Sequence, residues 1–290
     1  MNVLAIGASK NIGYFASLRL LGEVVQRIPS QDAPNFLMIL SDAGCTVTFM
    51  LRSPSVFDSD GAIQAHVRSG KAHLIKGDAL ALSDVKEGWS SALGHGPVDA
   101  VLFTVGGKPD FKLTKGFVTK PANLCTQGIL NVLCSLPQQP SPPKIVTFSS
   151  TGVTKASHDT LPTPLKMVYS MITVPHRDKL GVERVVSHCG GWKWDTKGDG
   201  ELPEFILEKG WKETEGLPAA GTFKNILLIR PGFLTDGECL ADDKGEGAYR
   251  VVEGDVRGWT VSRKDVGHFV ADAVLNRWNE YANKCVTVVY

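Results

Sequence analysis

The sequence predicts an α/β protein with a doubly wound, mostly parallel β-sheet and a small lobe towards the C-terminus. Short apolar, β-rich segments alternate with longer helical segments from the first residues onward, which is typical of this class. Segments 98–105 and 144–150 are almost continuously apolar, as expected for parallel strands covered by helices on both faces. Residues 3–13 read as a strand, a glycine turn and the start of a helix.

The alternation continues to the C-terminus and predicts a single domain over residues 1–290. The strands are predicted at 2–7, 45–51, 72–76, 98–105, 144–150, 225–230 and 285–290. The helices are predicted at 12–28, 61–69, 79–92, 121–135, 165–190 and 265–281.

Two inserts interrupt this rhythm. Residues 22–41 form an excursion after the first helix, because a crossover needs only about a dozen residues and this one is much longer. We expect a short helical piece within it at 36–40. Residues 190–224 are irregular and carry three tryptophans. Since ligands bind outside the carboxyl ends of such strands, the second insert is either a substrate cover or a loop whose tryptophans pack on the surface.

Composition and charge exclude several functional classes. The net charge is +1, which argues against a nucleic-acid groove and a basic membrane surface. The hydrophobic content of 43% suffices for a core, and we find no apolar run long enough to span a bilayer. Six scattered cysteines lack metal-ligand spacing, so we expect reduced, buried thiols, no metal site and a cytoplasmic protein. The apolar stretch Val3–Ile6 is too short for a signal peptide.

The glycine turn predicts a nucleotide site. The first glycine ends the strand, the last lets the helix approach the sheet, and the amides between them can face a pyrophosphate. A tight turn without a ligand is the alternative. The middle glycine of the usual pattern is a lysine here, which either reaches a phosphate or marks a different turn. The residues expected at the phosphates are Gly7, Ser9, Lys10, Asn11, Ile12 and Gly13.

The end of the second predicted strand indicates which nucleotide is bound. An acid at this point would bind the ribose of NAD(H), whereas an arginine suits the 2′-phosphate of NADP(H). Arg52 and Ser53 stand there, and the next acid is Asp58. A planar guanidinium fits a phosphate, and a hydroxyl can complete the contact. The pattern favours NADP(H), with a solvated surface arginine as the alternative.

Together the motifs resemble the short-chain dehydrogenase/reductases, in their atypical, NmrA-like branch with its Rossmann fold. The resemblance spans the chain apart from the two inserts. The matching segments are Gly7–Gly13, Leu51–Arg52, Gly77–Leu80, Phe103–Gly107, Val146–Thr151, Asp178–Lys179 with Glu183, Arg230–Phe233 and Ser262–Asp265.

The resemblance implies roles for two segments on the adenosine side. Asp78 and Ala79 would contact the adenine, and Gly106 and Gly107 would line its ribose. For Asp78 a helix N-cap is a further interpretation, since a helical segment follows it.

On the nicotinamide side, the resemblance assigns the Ser/Thr that polarises a substrate carbonyl to Thr151. Lys179 would bind the nicotinamide ribose, and Pro231 and Phe233 would border the nicotinamide. Turn chemistry beside Gly152 is the alternative for Thr151, and a solvated helix face is the alternative for Lys179.

The chain departs from the family where a tyrosine is expected. Four residues before Lys179 stands Pro175, so the proton donor of ordinary ketone reduction is missing. His176 lies one helical turn before the lysine and titrates in the useful range. It is our candidate, with Tyr169 or solvent as alternatives.

Three functions therefore stay open. The first is NADP(H)-dependent hydride transfer to or from a small apolar or aromatic metabolite. The second is a non-catalytic NADP(H) sensor, and the third is a cyclase or isomerase that uses the nucleotide as scaffold.

Overall fold

The computed structural model describes residues 1–27, 36–40, 44–107, 110–112, 116–161, 163–164 and 173–290. Its strands are β1 (Asn2–Ile6), β2 (Glu23–Arg27), β3 (Phe36–Leu40), β4 (Thr46–Leu51), β5 (Ala72–Lys76), β6 (Ala100–Phe103), β7 (Asp110–Lys112), β8 (Gly116–Val118), β9 (Lys144–Phe148), β10 (Ile226–Pro231), β11 (Phe233–Thr235), β12 (Arg250–Glu253), β13 (Thr260–Ser262) and β14 (Lys284–Val289). Its helices are α1 (Asn11–Leu20), α2 (Gly61–Arg68), α3 (Leu82–Leu93), α4 (Leu124–Cys134), α5 (Lys155–Thr160), α6 (Thr173–Gly190), α7 (Ala241–Lys244), α8 (Arg263–Leu275) and α9 (Trp278–Tyr281).

The predicted fold class is confirmed by an eight-stranded central sheet in the order β12-β14-β10-β9-β6-β1-β4-β5. All neighbouring strands are parallel except β12, which pairs antiparallel with β14 at the edge. The sheet contains the seven predicted strands, whereas β12 was not predicted. The strand order reverses between β1 and β6, and in such sheets the crevice at the reversal is where ligands bind.

Side chains that alternate along β1 feed two separate cores. Val3 and Ala5 belong to one apolar layer, which includes residues of α1 and α8. Leu4 and Ile6 belong to the opposite layer, which includes residues of α3, α4 and α6. Because both faces are covered, the parallel strands carry apolar residues at almost every position.

The secondary structure predicted for the first insert is wrong in the part of it that the structure describes. Helix α1 ends at Leu20 instead of continuing to residue 28, and Gly22 then adopts a positive φ of 100°. A turn of this kind favours glycine and stops the helix. The segment at 36–40 is strand β3, paired with β2, because a short run of consecutive apolar residues carries no helical period.

Other boundaries also need correction. The predicted helix at 265–281 is two helices, α8 and α9, separated at residues 276–277. The helix predicted from residue 79 begins at Leu82, and the one predicted at 165–190 lies partly outside the described residues. The small lobe contains β11 and β13, which pair in parallel, together with α7.

The described part of the chain contains no helix that is long and apolar enough to cross a membrane. Nor do its residues form any cluster of three or more His, Cys, Asp or Glu suited to a metal ion. The six cysteines are free thiols, and Cys45, Cys125, Cys189 and Cys239 are buried. For these four thiols the predicted burial is confirmed.

Candidate functional site

The glycine turn packs against the end of strand β6. Gly7 has a φ of +78°, and a Cβ there would lie 2.8 Å from the Cα of Val105. A Cβ at Gly13 would lie 2.3 Å from Oγ1 of Thr104. Both positions therefore exclude a side chain, as the motif predicted.

The amino end of α1 follows this turn directly. Lys10 occupies the N-cap position, but its side chain makes no capping hydrogen bond, and no acidic residue lies in the first turn. Lys10 and Asn11 are exposed, Ser9 is half-buried and Ile12 packs inward. Amides at an uncapped helix start carry partial positive charge, so this end of α1 suits an anion.

Arg52 and Ser53 lie beside this turn. Strand β4 pairs with β1, with Met50 opposite Ile6, so the residues after β4 come next to those after β1. Arg52 is exposed, and it makes no hydrogen bond or ion pair with a described residue. The Ser53 hydroxyl lies 2.8 Å from that of Ser55.

The Asp78 carboxylate shapes a turn and does not cap a helix. Its Oδ1 accepts a hydrogen bond from the Leu80 amide at 3.0 Å, whereas α3 begins later, with Ala81 at its N-cap position. The N-cap interpretation is therefore wrong. The Nδ2 of Asn131 donates to the carbonyl of Ala79 at 2.9 Å and holds the turn in place. We did not predict this role, although a buried asparagine in a mostly apolar helix is a usable signal.

The glycine pair after β6 has two different environments. Gly107 lies against Thr119, and a Cβ at Gly107 would come within 2.5 Å of Cγ2 of that side chain. Gly106 is exposed, and no atom of the described residues lies within 4 Å of where its Cβ would be. Gly106 thus offers bare backbone after the carboxyl end of β6.

Lys179 on α6 reaches across the carboxyl ends of two strands. Its Nζ donates to the carbonyl of Phe148 at 3.1 Å and to that of Val105 at 3.3 Å. The solvated-helix interpretation is therefore wrong. An ammonium has three N–H donors, and the two carbonyls account for two of them.

Thr151 and Pro231 meet at the ends of β9 and β10. The Thr151 amide donates to the Pro231 carbonyl at 3.2 Å, and Thr151 is buried. Phe233, two residues further on, is 46% exposed. The structure thus brings Thr151, Pro231 and Lys179 together at the carboxyl ends of the central strands.

His176 lies in the first turn of α6, directly after Pro175. Proline is tolerated there because its missing amide would have no helical partner. Burial, aided by the charge of His158, lowers the pKa of His176 to about 4. At pH 7 only about one imidazole in a thousand is then protonated. A neutral imidazole fits poorly with our expectation of a charged proton donor.

The depressed pKa of His176 predicts a pH dependence of stability. The unfolded chain takes up a proton near pH 6.5, whereas the folded chain does so only near pH 4. The stability that depends on neutral His176 is therefore complete above pH 6.5 and is lost as the pH falls towards 4. We expect His176→Gln to flatten the free energy of unfolding across this window in urea titrations. If the free energy of unfolding changes equally with pH in the wild type and the variant, the assignment is wrong.

The three tryptophans of the second insert are half-buried, and Trp192 and Trp211 pack against the apolar layer that contains Leu4 and Ile6. Nε1 of Trp192 donates to the Asn283 carbonyl at 3.0 Å. The Arg184 guanidinium lies 5.0 Å from the ring centre of Trp194. Trp211 meets His188 of α6 edge to face. These contacts fit the surface-packing alternative, and the substrate cover stays a prediction.

Comparison with known proteins supports the fold assignment. No protein-family profile matches the sequence. The chain is 25% identical over 229 residues to the reductase pytE of Aspergillus terreus, covering 75% of this chain and 77% of that protein.

Solved structures of short-chain dehydrogenase/reductases match almost the whole chain. One from Veillonella parvula, in complex with NADP, has a TM-score of 0.56 at 10% identity over 99% of this chain and 94% of its own. A short-chain oxidoreductase from Pseudomonas aeruginosa, described as containing an atypical catalytic centre, has a TM-score of 0.57 at 13% identity over 99% and 95%. The fold is thus the Rossmann fold of the short-chain dehydrogenase/reductases.

Proposed function

We propose that the protein is an NADP(H)-dependent oxidoreductase, an atypical short-chain dehydrogenase/reductase of the NmrA-like type. Its substrate is a small apolar or aromatic metabolite. The observation that carries the proposal is the Lys179 ammonium, held at the ends of β6 and β9 beside the strand reversal. The fold neighbour from Veillonella parvula, solved in complex with NADP, and the similarity to a reductase support it.

The residues at the carboxyl ends of the strands suit each part of such a nucleotide. The uncapped start of α1 would hold the pyrophosphate, Arg52 and Ser53 the 2′-phosphate, and the turn at Asp78 the adenine. Lys179 would bind the nicotinamide ribose. Bound NADPH would supply the hydride.

On the substrate side, side chains of the protein would orient the substrate and polarise its carbonyl group. Thr151 would donate its hydroxyl to a substrate carbonyl, next to Pro231 and the exposed ring of Phe233. A donor aimed at developing negative charge lowers the barrier to hydride transfer. No tyrosine stands four residues before Lys179, so the proton would come from solvent, from His176 or from Tyr169, which lies outside the described residues.

A second candidate is a non-catalytic NADP(H) sensor. Pro175 stands where the proton-donating tyrosine is expected, and the low pKa of His176 leaves that side chain neutral. General acid catalysis typically contributes about 10²–10⁴-fold, so a site without it can bind nucleotide and turn over slowly or not at all.

Two measurements test the proposal. Mass spectrometry of nucleotide released from the purified protein should identify NADP(H). Incubation with NADPH and a panel of aromatic and aliphatic aldehydes, ketones and quinones should show nucleotide oxidation by absorbance. Binding without oxidation would favour the sensor or the cyclase or isomerase that uses the nucleotide as scaffold, and absence of binding would overturn all three functions.

Nucleotide preference depends on Arg52. A hydrogen bond to a charged group contributes about 1.5–3 kcal/mol, so Arg52→Ala should weaken NADPH binding roughly tenfold or more. NADH lacks the 2′-phosphate and should bind the variant as it binds the wild type. Titration calorimetry with both nucleotides measures the difference, and Arg68→Ala, another exposed arginine, is the control. Equal losses for NADPH and NADH would show that Arg52 is only a surface residue.

A further inference from the structure

We infer that Asp178 is a positioning residue, which sets the Lys179 ammonium in place by capping the neighbouring helix α4. This inference rests on the proposed function, since it concerns how Lys179 meets the nicotinamide ribose. Asp178 precedes Lys179 in the chain, yet its carboxylate serves a different helix.

The Asp178 carboxylate is buried at the start of α4. It accepts hydrogen bonds from the amides of Cys125 and Thr126, each at 2.8 Å. The single hydroxyl proton of Thr126 faces two acceptors of Asp178, since Oγ1 lies 2.9 Å from Oδ1 and 2.7 Å from the main-chain carbonyl oxygen. Only 2% of Asp178 is exposed, so solvent cannot replace these bonds.

Glycine permits the close approach of the two helices. A Cβ at Gly181, on α6, would lie 2.1 Å from Oγ1 of Thr126. The separation of α6 from α4 is therefore fixed at the turn that carries Lys179. Neither helix can slide along the other without breaking the cap.

The cap and the lysine converge on one strand end. The carbonyl of Val105 accepts from Nζ of Lys179 at 3.3 Å and from Sγ of Cys125 at 3.2 Å. Since Cys125 is also capped by Asp178, the carboxylate, α4 and the ammonium form one connected unit. The Asp178 carboxylate is hydrogen-bonded to the amides of α4 and forms no ion pair with the neighbouring Lys179. The Lys179 ammonium contacts carbonyl oxygens instead, so its positive charge can attract a ligand.

Asp178→Asn tests this inference with two ligands. The amide would turn an N–H group towards the α4 amides and disturb the seat of α6. We expect about tenfold weaker binding of NADP⁺, a loss comparable to one charged hydrogen bond. Adenosine 2′,5′-bisphosphate lacks the nicotinamide ribose, so its affinity should change by less than about twofold. Calorimetry measures both affinities.

Two further variants separate positioning from general damage. Asp265→Asn is the matched control, because Asp265 is also buried and accepts several hydrogen bonds at the start of α8. It should leave the ratio of the two affinities unchanged. Lys179→Met alone should weaken the binding of NADP⁺. The double variant with Asp178→Asn should bind NADP⁺ less than about twofold more weakly than Lys179→Met does.

The outcomes are distinct. If wild-type protein binds neither ligand, the proposed function fails and this inference fails with it. If it binds both, but Asp178→Asn weakens them equally or adds fully to Lys179→Met, Asp178 is only a structural cap. Should Asp178→Asn not fold, Thr126→Val, which removes only the hydroxyl bonds, should show the same selective loss in smaller measure.

Discussion

Replacing Gly13 with valine should abolish the thermal stabilisation that NADPH gives to the protein. A Cβ at this position would lie 2.3 Å from Oγ1 of Thr104 and 2.8 Å from the Cα of Ala8. Thr104 cannot yield freely, since its hydroxyl bonds the Ile6 carbonyl. The valine must therefore push α1 away from the sheet and move the amides that face the pyrophosphate.

The size of this effect follows from binding linkage. At NADPH a hundred times above its dissociation constant, binding to the wild type adds about 2.7 kcal/mol. For a chain of 290 residues this corresponds to a rise in Tm of roughly 4 °C. Gly61→Val is the control, because no atom lies within 4 Å of a Cβ built there. A Gly13→Val protein that still shows the full rise would exclude this turn as the phosphate site.

The sequence predicted the central sheet because its signals are local. Val3 to Ile6, residues 98–105 and residues 144–150 are rich in apolar residues, as expected for strands covered on both faces. The glycine turn was readable from the spacing of Gly7 and Gly13 after an apolar strand, although the atoms nearest to a Cβ at these positions belong to Val105 and Thr104, far along the chain.

What the sequence did not show depends on contacts between distant residues. Asp178 and Thr126 lie 52 positions apart, and nothing in either segment predicts that one caps the other. The low pKa of His176 arises from burial and from His158 on another helix. β12 was missed because its residues are half-buried or exposed, a pattern typical of an edge strand and weakly encoded.

A buried ion pair joins Glu183, one helical turn after Lys179 on α6, to Arg230 and should contribute strongly to stability. On α6, Glu183 accepts from Nε of Arg230 at 2.9 Å and from its Nη2 at 2.5 Å, while Nη1 of the same guanidinium donates to Asp255 at 2.8 Å. Burial alone would lower the pKa of Arg230, but these carboxylates raise it above its usual value. The guanidinium thus stays charged inside the domain, directly before Pro231.

Glu183→Ala should therefore destabilise the protein severely. Removing one partner of a buried pair typically costs about 3–5 kcal/mol, because the remaining charge is left uncompensated. For this chain length we expect Tm to fall by roughly 5–8 °C, measured by calorimetry without nucleotide. The exposed pair of Lys209 and Glu204 supplies the contrast, since Glu204→Ala should leave Tm nearly unchanged.

The double variant Glu183→Leu with Arg230→Met distinguishes two causes of the destabilisation, the loss of the ion pair and the uncompensated charge left on Arg230. Apolar side chains of similar size remove both charges and fill the same space, so much of the stability should return. The remaining Asp255 is partly exposed and can be solvated. If the double variant is as unstable as Glu183→Ala, the two side chains act through their packing and the charge argument is wrong.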